Sequence, residues 1–231
     1  MTYEILTPFG PSLYKSTLDK DFVDMLQQIA KQSRSVNQNV GNTLAGNLDY
    51  QIQAVMDVPQ TDAFYEEMKK HVSLTLRNLE RKYFKDPREE DRFTAENCSF
   101  SFGEGAWINF QKPGEFNPIH HHTGILSAVV YIDVPECIAQ EDKGKNTNAP
   151  SAGGICWIYG NASAGMQCSD YMYMHRPKTG EIFIFPSGLQ HLVYPFKSDV
   201  ERISMSFNMY DITFLPKLDY QNILTQTQKS V

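Results

Sequence analysis

Gly114-Glu115-Phe116-Asn117-Pro118-Ile119-His120-His121-His122, followed closely by the apolar run Leu126-Ser127-Ala128-Val129-Val130-Tyr131-Ile132-Asp133-Val134, is the stretch on which the reading of this chain turns. Three histidines crowd one short segment between a glycine-proline turn and a dense β-run. About seventy residues later, Gly188-Leu189-Gln190-His191 supplies a further imidazole at the start of another strand. Residues two apart on an extended chain face the same side, so His120 and His122 can both look into a barrel interior. The turn Phe185-Pro186-Ser187-Gly188 could aim His191 at the same point. Neutral imidazoles suit iron, zinc, copper or nickel, and three of them leave coordination positions open. Consecutive histidines also occur in polar turns, but the flanking turn and strand favour His120, His122 and His191 as ligands. His121 reads as solvated, and His71 and His175 as ordinary surface or core histidines.

Eleven residues after His191 begins Arg202-Ile203-Ser204-Met205-Ser206-Phe207-Asn208. Alternation puts Arg202, Ser204, Ser206 and Asn208 on one face and Ile203, Met205 and Phe207 on the other. The polar face is either solvent-exposed or lines the barrel. An inward arginine needs an anion, and a carboxylate satisfies its planar fork by two parallel hydrogen bonds, with Ser204 adding a third.

Working outward, the remaining chain reads as a single domain over 1–231, with a helical part over 1–90 and a β core over 95–212. Phe22, Met25, Leu26 and Ile29 recur at helical spacing over 19–33, with Ser16 or Asp19 as the cap. A second amphipathic helix runs from Thr61, read as its N-cap, to Tyr83, with Phe64, Met68, Val72, Leu76 and Leu79 as its stripe. Residues 35–60 read as a loop with Leu44, Leu48 and Tyr50 as anchors. Strands are expected at 99–111 (as a pair), 126–134, 154–159, 170–175, 181–185, 191–196 and 202–210, and 136–153 as a mobile surface loop. This order predicts a mostly β protein with N-terminal helices: a double-stranded β-helix, or jelly roll, with helices packed outside one sheet.

Composition narrows the function classes. At 231 residues, 41% hydrophobic and 12% aromatic, the chain can bury a sizeable core. A net charge of −6 argues against a nucleic-acid surface. No apolar stretch is long enough to span a bilayer. Met1-Thr2-Tyr3-Glu4 lacks a secretory pattern, so a cytoplasmic location is expected, with Cys98, Cys137, Cys156 and Cys168 as reduced thiols. The segment 215–220 could pack on the barrel or on a neighbour, which leaves a homodimer open.

A resemblance now enters. Trp107-Ile108-Asn109-Phe110 through Gly114, Asn117, His120 and His122 is similar to the W-x-N…G-x-x-N-x-x-H-x-H segment of a family of Fe(II)/2-oxoglutarate-dependent oxygenases. Leu126 to Tyr131, Gly180 to Ser187 with His191, and the Arg202-x-Ser204-x-x-Phe207-Asn208 strand resemble further segments of that family, over about residues 95–212. The resemblance implies a double-stranded β-helix with iron on His120, His191 and His122. Arg202 with Ser204 would hold the distal carboxylate of 2-oxoglutarate, with Tyr131, Asn109 and Asn208 as further contacts. O2 would take the remaining site, and a peptide or small-molecule C–H bond would be hydroxylated as 2-oxoglutarate becomes succinate.

The wider superfamily places a carboxylate where His122 stands, so three neutral ligands would leave the metal more positive. If His122 were instead the first ligand, Gly124 would leave a vacancy that a halide could fill. A cupin is the rival reading, since Gly114…His120-x-His122 and Gly180…Pro186-x-Gly188-x-x-His191 resemble its two motifs. The cupin glutamate is missing, however, because Leu126 and Ser127 stand at its position. A non-catalytic metal-binding jelly roll is the third.

Overall fold

The computed structural model describes residues 2–6, 10–36, 39–84, 93–143, 151–160 and 171–214, with the side chains of 79–84 outside that description. Two short strands come first, β1 (Tyr3–Leu6) and β2 (Leu13–Thr17), followed by helix α1 (Lys20–Val36). Strand β3 (Gln51–Gln53) and helix α2 (Val58–Phe84) precede β4 (Cys98–Ser101), β5 (Ala106–Gln111), β6 (Asn117–His120) and β7 (Leu126–Asp133). After the single helical turn α3 (Glu136–Gln140) come β8 (Ile155–Ile158), β9 (Met172–His175), β10 (Glu181–Pro186), β11 (Gln190–Val193) and the long β12 (Arg202–Phe214).

These strands make two sheets. The larger runs β1-β2-β10-β7-β12-β5-β3, with β4 also on β12, and the smaller runs β6-β11-β8-β9. Among the described residues every strand pair is antiparallel. Strand β12 is the spine. It pairs with β7 along one edge, and on the other with β5 over Arg202 to Phe207 and then with β4 from Tyr210 to Phe214. Within the β4 pairing the register shifts between Tyr210 and Thr213, and Asp211 takes φ 50° there. This is the left-handed region that aspartate tolerates better than most residues.

The larger sheet is covered on both faces, which explains why β7 and β10 read as apolar runs. On its outer face, Leu26 and Ile29 of α1 and Phe64, Met68 and Val72 of α2 pack on Ile108, Val130, Ile184, Met205 and Phe207. On its inner face, Val129, Tyr131, Phe183 and Phe185 meet Ile155 and Trp157 of the smaller sheet. The fold is therefore the expected double-stranded β-helix with helices outside one sheet.

Several local readings are corrected. The first ninety residues are not only helical, because β1 and β2 extend the larger sheet through β10. Helix α2 begins three residues before Thr61, on a reciprocal box in which Gln60 N–H donates to Asp57 Oδ1 (2.8 Å) and Asp57 N–H donates to Gln60 Oε1 (3.0 Å). The 35–60 loop contains a 3-10 turn, Gly41–Thr43, and the edge strand β3. Strands β4 and β5 do not pair with each other; both pair with β12. Residues 136–140 are helical because Ile138 buries itself against Ala152 and Phe196. Cys98, Cys137 and Cys156 are free thiols, and Cys168 lies outside the described residues. Among the described residues no helix is long and apolar enough to cross a membrane.

Candidate metal centre

Strands β6 and β11 are hydrogen-bonded neighbours, and their register sets His191 directly opposite His120. His122 lies two residues beyond β6, where its backbone N–H donates to Ser187 O at 2.9 Å. The three rings converge, with centroids 4.2 Å apart for His120 and His191 and 5.0 Å for each pair with His122. One ring nitrogen from each lies within 4.8 Å of the other two.

Their protonation suits ligation. The Nδ1 of His120 lies 2.7 Å from Pro118 O and that of His191 lies 3.0 Å from Leu189 O. A carbonyl can only accept, so Nδ1 carries the proton in both rings and each Nε2 keeps its lone pair. Burial and the neighbouring imidazoles push His122 down to about 4 and His191 to about 3, and burial lowers His120 as well. The other histidines of the described chain have different partners. His121 is exposed, His71 meets Tyr14 and Glu67, and His175 is bonded to Glu181 at 2.7 Å.

A narrow pocket runs inward from the triad, lined by Asn109, Gln111, Tyr131, Phe185, Arg202 and Ser204 among others. Arg202 is 3% exposed; one of its Nη groups donates to Gly153 O, while Nε has no partner. Burial without a counter-ion lowers its pKa. The guanidinium lies 5.6 Å from the ring centre of Tyr131, whose buried hydroxyl is also unpartnered and whose pKa burial raises. Two buried donors without acceptors, next to an uncompensated cation, are costly unless a ligand arrives.

The alternating face of β12 divides as its residues do. Arg202, Ser204 and Ser206 line this pocket, whereas Met205 and Phe207 point into the helix-side core. Asn109 donates to Ser206 at 3.3 Å and accepts from Gln51 at 2.7 Å. Asn208 is not brought to the same place. It accepts from Ser127 at 2.8 Å and lines an outer cleft on the other side of the triad.

The sequence reading passed over Gln111 and Gln51. Both are buried, and each has an unpartnered Oε1. Gln111 stands opposite Arg202 in the β5–β12 register, its amide N–H groups held by the carbonyls of Glu115 and Tyr194. Its parity with Trp107 and Asn109 along β5 was the available signal.

Residues 105–208 match the model of a family described as "Putative 2OG-Fe(II) oxygenase". Among solved structures, the chain resembles a prolyl-4-hydroxylase from Pseudomonas putida at 16% identity and a TM-score of 0.50, over 85% of this chain and 91% of that one. It also resembles the non-haem α-ketoglutarate-dependent carbocyclase SnoK from nogalamycin biosynthesis, at 10% identity and a TM-score of 0.51, over 92% of this chain and 85% of that one. At such identities the likeness bears on the fold. No curated protein sequence matches the chain.

Proposed function

We propose that the chain, whose residues 105–208 match the model of a 2OG-Fe(II) oxygenase family, is such an oxygenase and hydroxylates a C–H bond of a peptide or small molecule. The observation that carries the residue assignment is a single pocket with imidazole lone pairs at one end and, at the other, a buried guanidinium beside an unpartnered phenol. The residues fit both expected ligands. Three neutral imidazoles on one side suit Fe(II) with open positions, and the Arg202 fork suits the distal carboxylate of 2-oxoglutarate.

His120, His122 and His191 would hold the metal, the first two anchored by β6 and the turn after it and the third by β11. The carbonyls of Pro118 and Leu189 orient two of the rings and make them better donors. Arg202 and Tyr131 would bind the distal carboxylate, with Ser204 and Asn109 shaping the wall beside it. The Phe185 ring, backed by Trp157, is an apolar wall on that side of the pocket. Bound iron would supply the O2 chemistry that these side chains lack. In the balance, R–H, O2 and 2-oxoglutarate give R–OH, succinate and CO2. One oxygen atom enters each organic product, and the four electrons come equally from the C–H bond and the keto acid.

The test is succinate formation by the full chain with Fe(II), ascorbate and 2-oxoglutarate. Uncoupled turnover well above a metal-free control is expected. No turnover, together with no 2-oxoglutarate binding to the Mn(II)-loaded protein, would refute the proposal and return the cupin or the bare metal scaffold to first place.

A further inference from the structure

His120 and His122 stand between two spaces, while His191 faces the inner one. Trp107, His120, His122, Leu44 and Ala45 border both the inner pocket that ends at Arg202 and an outer cleft open to solvent. With the inner pocket assigned to 2-oxoglutarate, the outer cleft is the side from which a third reactant approaches. It encloses about 530 Å³, inside the range of roughly 300–1,000 Å³ usual for small-molecule sites.

The outer cleft has a definite chemistry. Phe102, Trp107 and Tyr210 give it three aromatic walls. Tyr210 is bonded through its hydroxyl to Thr123 at 2.7 Å, and its ring lies over Gly103 and Gly124. Both glycines have positive φ, and a Cβ at Gly103 would fall 2.5 Å from that ring, so the backbone is shaped to seat it. Phe102 is fixed by ring contacts with Phe64, Phe100 and Phe207. The only acidic side chain lining the cleft is the exposed Glu104, and among the described lining residues there is no lysine or arginine. Aromatic faces beside a carboxylate attract cations. A phosphate or carboxylate entering here would meet the Glu104 carboxylate and no lysine or arginine, with the exposed His121 as the one imidazole on that wall outside the triad.

We infer that the prime substrate brings an alkylammonium or guanidinium group into this cleft, held by Glu104 and the aromatic walls, and presents a neighbouring C–H bond to the triad. The inference rests on the oxygenase reading, and its test separates the two. Stimulation of succinate formation is measured with the N-acetyl amides of lysine, arginine, norleucine and glutamate, and with short peptides carrying each residue. The two formats distinguish a single capped residue from one borne on a longer peptide. Binding of the same probes to the Mn(II)- and 2-oxoglutarate-loaded protein is followed in parallel by tryptophan fluorescence.

The cationic probes are expected to bind about tenfold more tightly than norleucine and to give the larger stimulation. Glu104→Gln should cut that preference about fivefold, and Glu104→Asp should retain part of it. Equal binding of norleucine, better binding of the glutamate probe, or an unchanged preference in Glu104→Gln would overturn the inference. So would basal succinate formation that no cationic probe stimulates, with the oxygenase reading left standing. Absence of basal turnover and of 2-oxoglutarate binding would remove that reading and this inference together.

Discussion

Replacing Arg202 with leucine separates the anchoring of the diacid from the binding of metal. In the free protein the guanidinium is buried, one Nη group is spent on Gly153 O and Nε has no partner. Truncating one member of a buried, hydrogen-bonded charge pair costs about 2–5 kcal/mol, so the Kd for 2-oxoglutarate should rise roughly 30- to 4,000-fold. The unliganded variant should differ far less from its parent, because two effects oppose. Losing an unpaired buried cation helps, and leaving Gly153 O without its donor costs about 1–3 kcal/mol. Thermal unfolding of the Mn(II)-loaded proteins reads both quantities. At a ligand concentration of a hundred times the parent's Kd, the parent gains about 2.7 kcal/mol, a shift of roughly 5–10 °C for a chain of this size. The variant should gain almost nothing from 2-oxoglutarate while keeping its response to Mn(II). An equal 2-oxoglutarate shift in both proteins would refute the role given to Arg202, and loss of the Mn(II) response would show that the substitution damaged the whole pocket.

Three further outcomes are expected. His191→Ala should abolish stabilisation by Mn(II) or Ni(II) in a thermal melt, and a retained shift would remove this imidazole from the ligand set. Phe64→Ala, which empties a fully buried position ringed by Phe22, Phe102 and Phe207, should cost about 3–5 kcal/mol in urea unfolding; a loss under 1 kcal/mol would contradict the packing described between α2 and the larger sheet. Glu67 is held down to about 2 by the His71 ring beside it and then by Lys70, against the opposing effect of burial. A carboxyl lowered in the folded state lends stability above its ordinary value near 4.5, and that stability is lost as pH falls toward 2. Glu67→Gln should therefore flatten the decline in stability between about pH 5 and pH 3, and parallel curves would exclude the linkage.

The parts of this molecule that could be read from residues alone share one property: their signal is local. The His120-x-His122 pair, the apolar run of β7 and the alternation of β12 each declare a face within a few positions, because strand side chains repeat every two residues. Strand β6 was missed because Asn117-Pro118-Ile119-His120 contains a proline and is half exposed, which normally argues against a strand. Strand β3 has three residues, two of them glutamines, and owes its existence to the neighbouring edge of β5. The box at Asp57 and Gln60 was present in the sequence, but Thr61 offered an equally plausible cap. Gln111 escaped notice because its place in the site comes from partners on other segments, Arg202 across the β5–β12 register and the Tyr194 carbonyl, beside its local bond to Glu115 O.

His120 and His191 ride on the small four-stranded sheet, while Arg202, Tyr131 and Asn109 belong to the large one. A molecule gripped at both ends would therefore rivet two layers that pack face to face but share no strand, and the short strands β6 and β11 would be the chief beneficiaries. Filling the pocket would stiffen the jaws themselves, so that breathing of the small layer slows as soon as the diacid is seated.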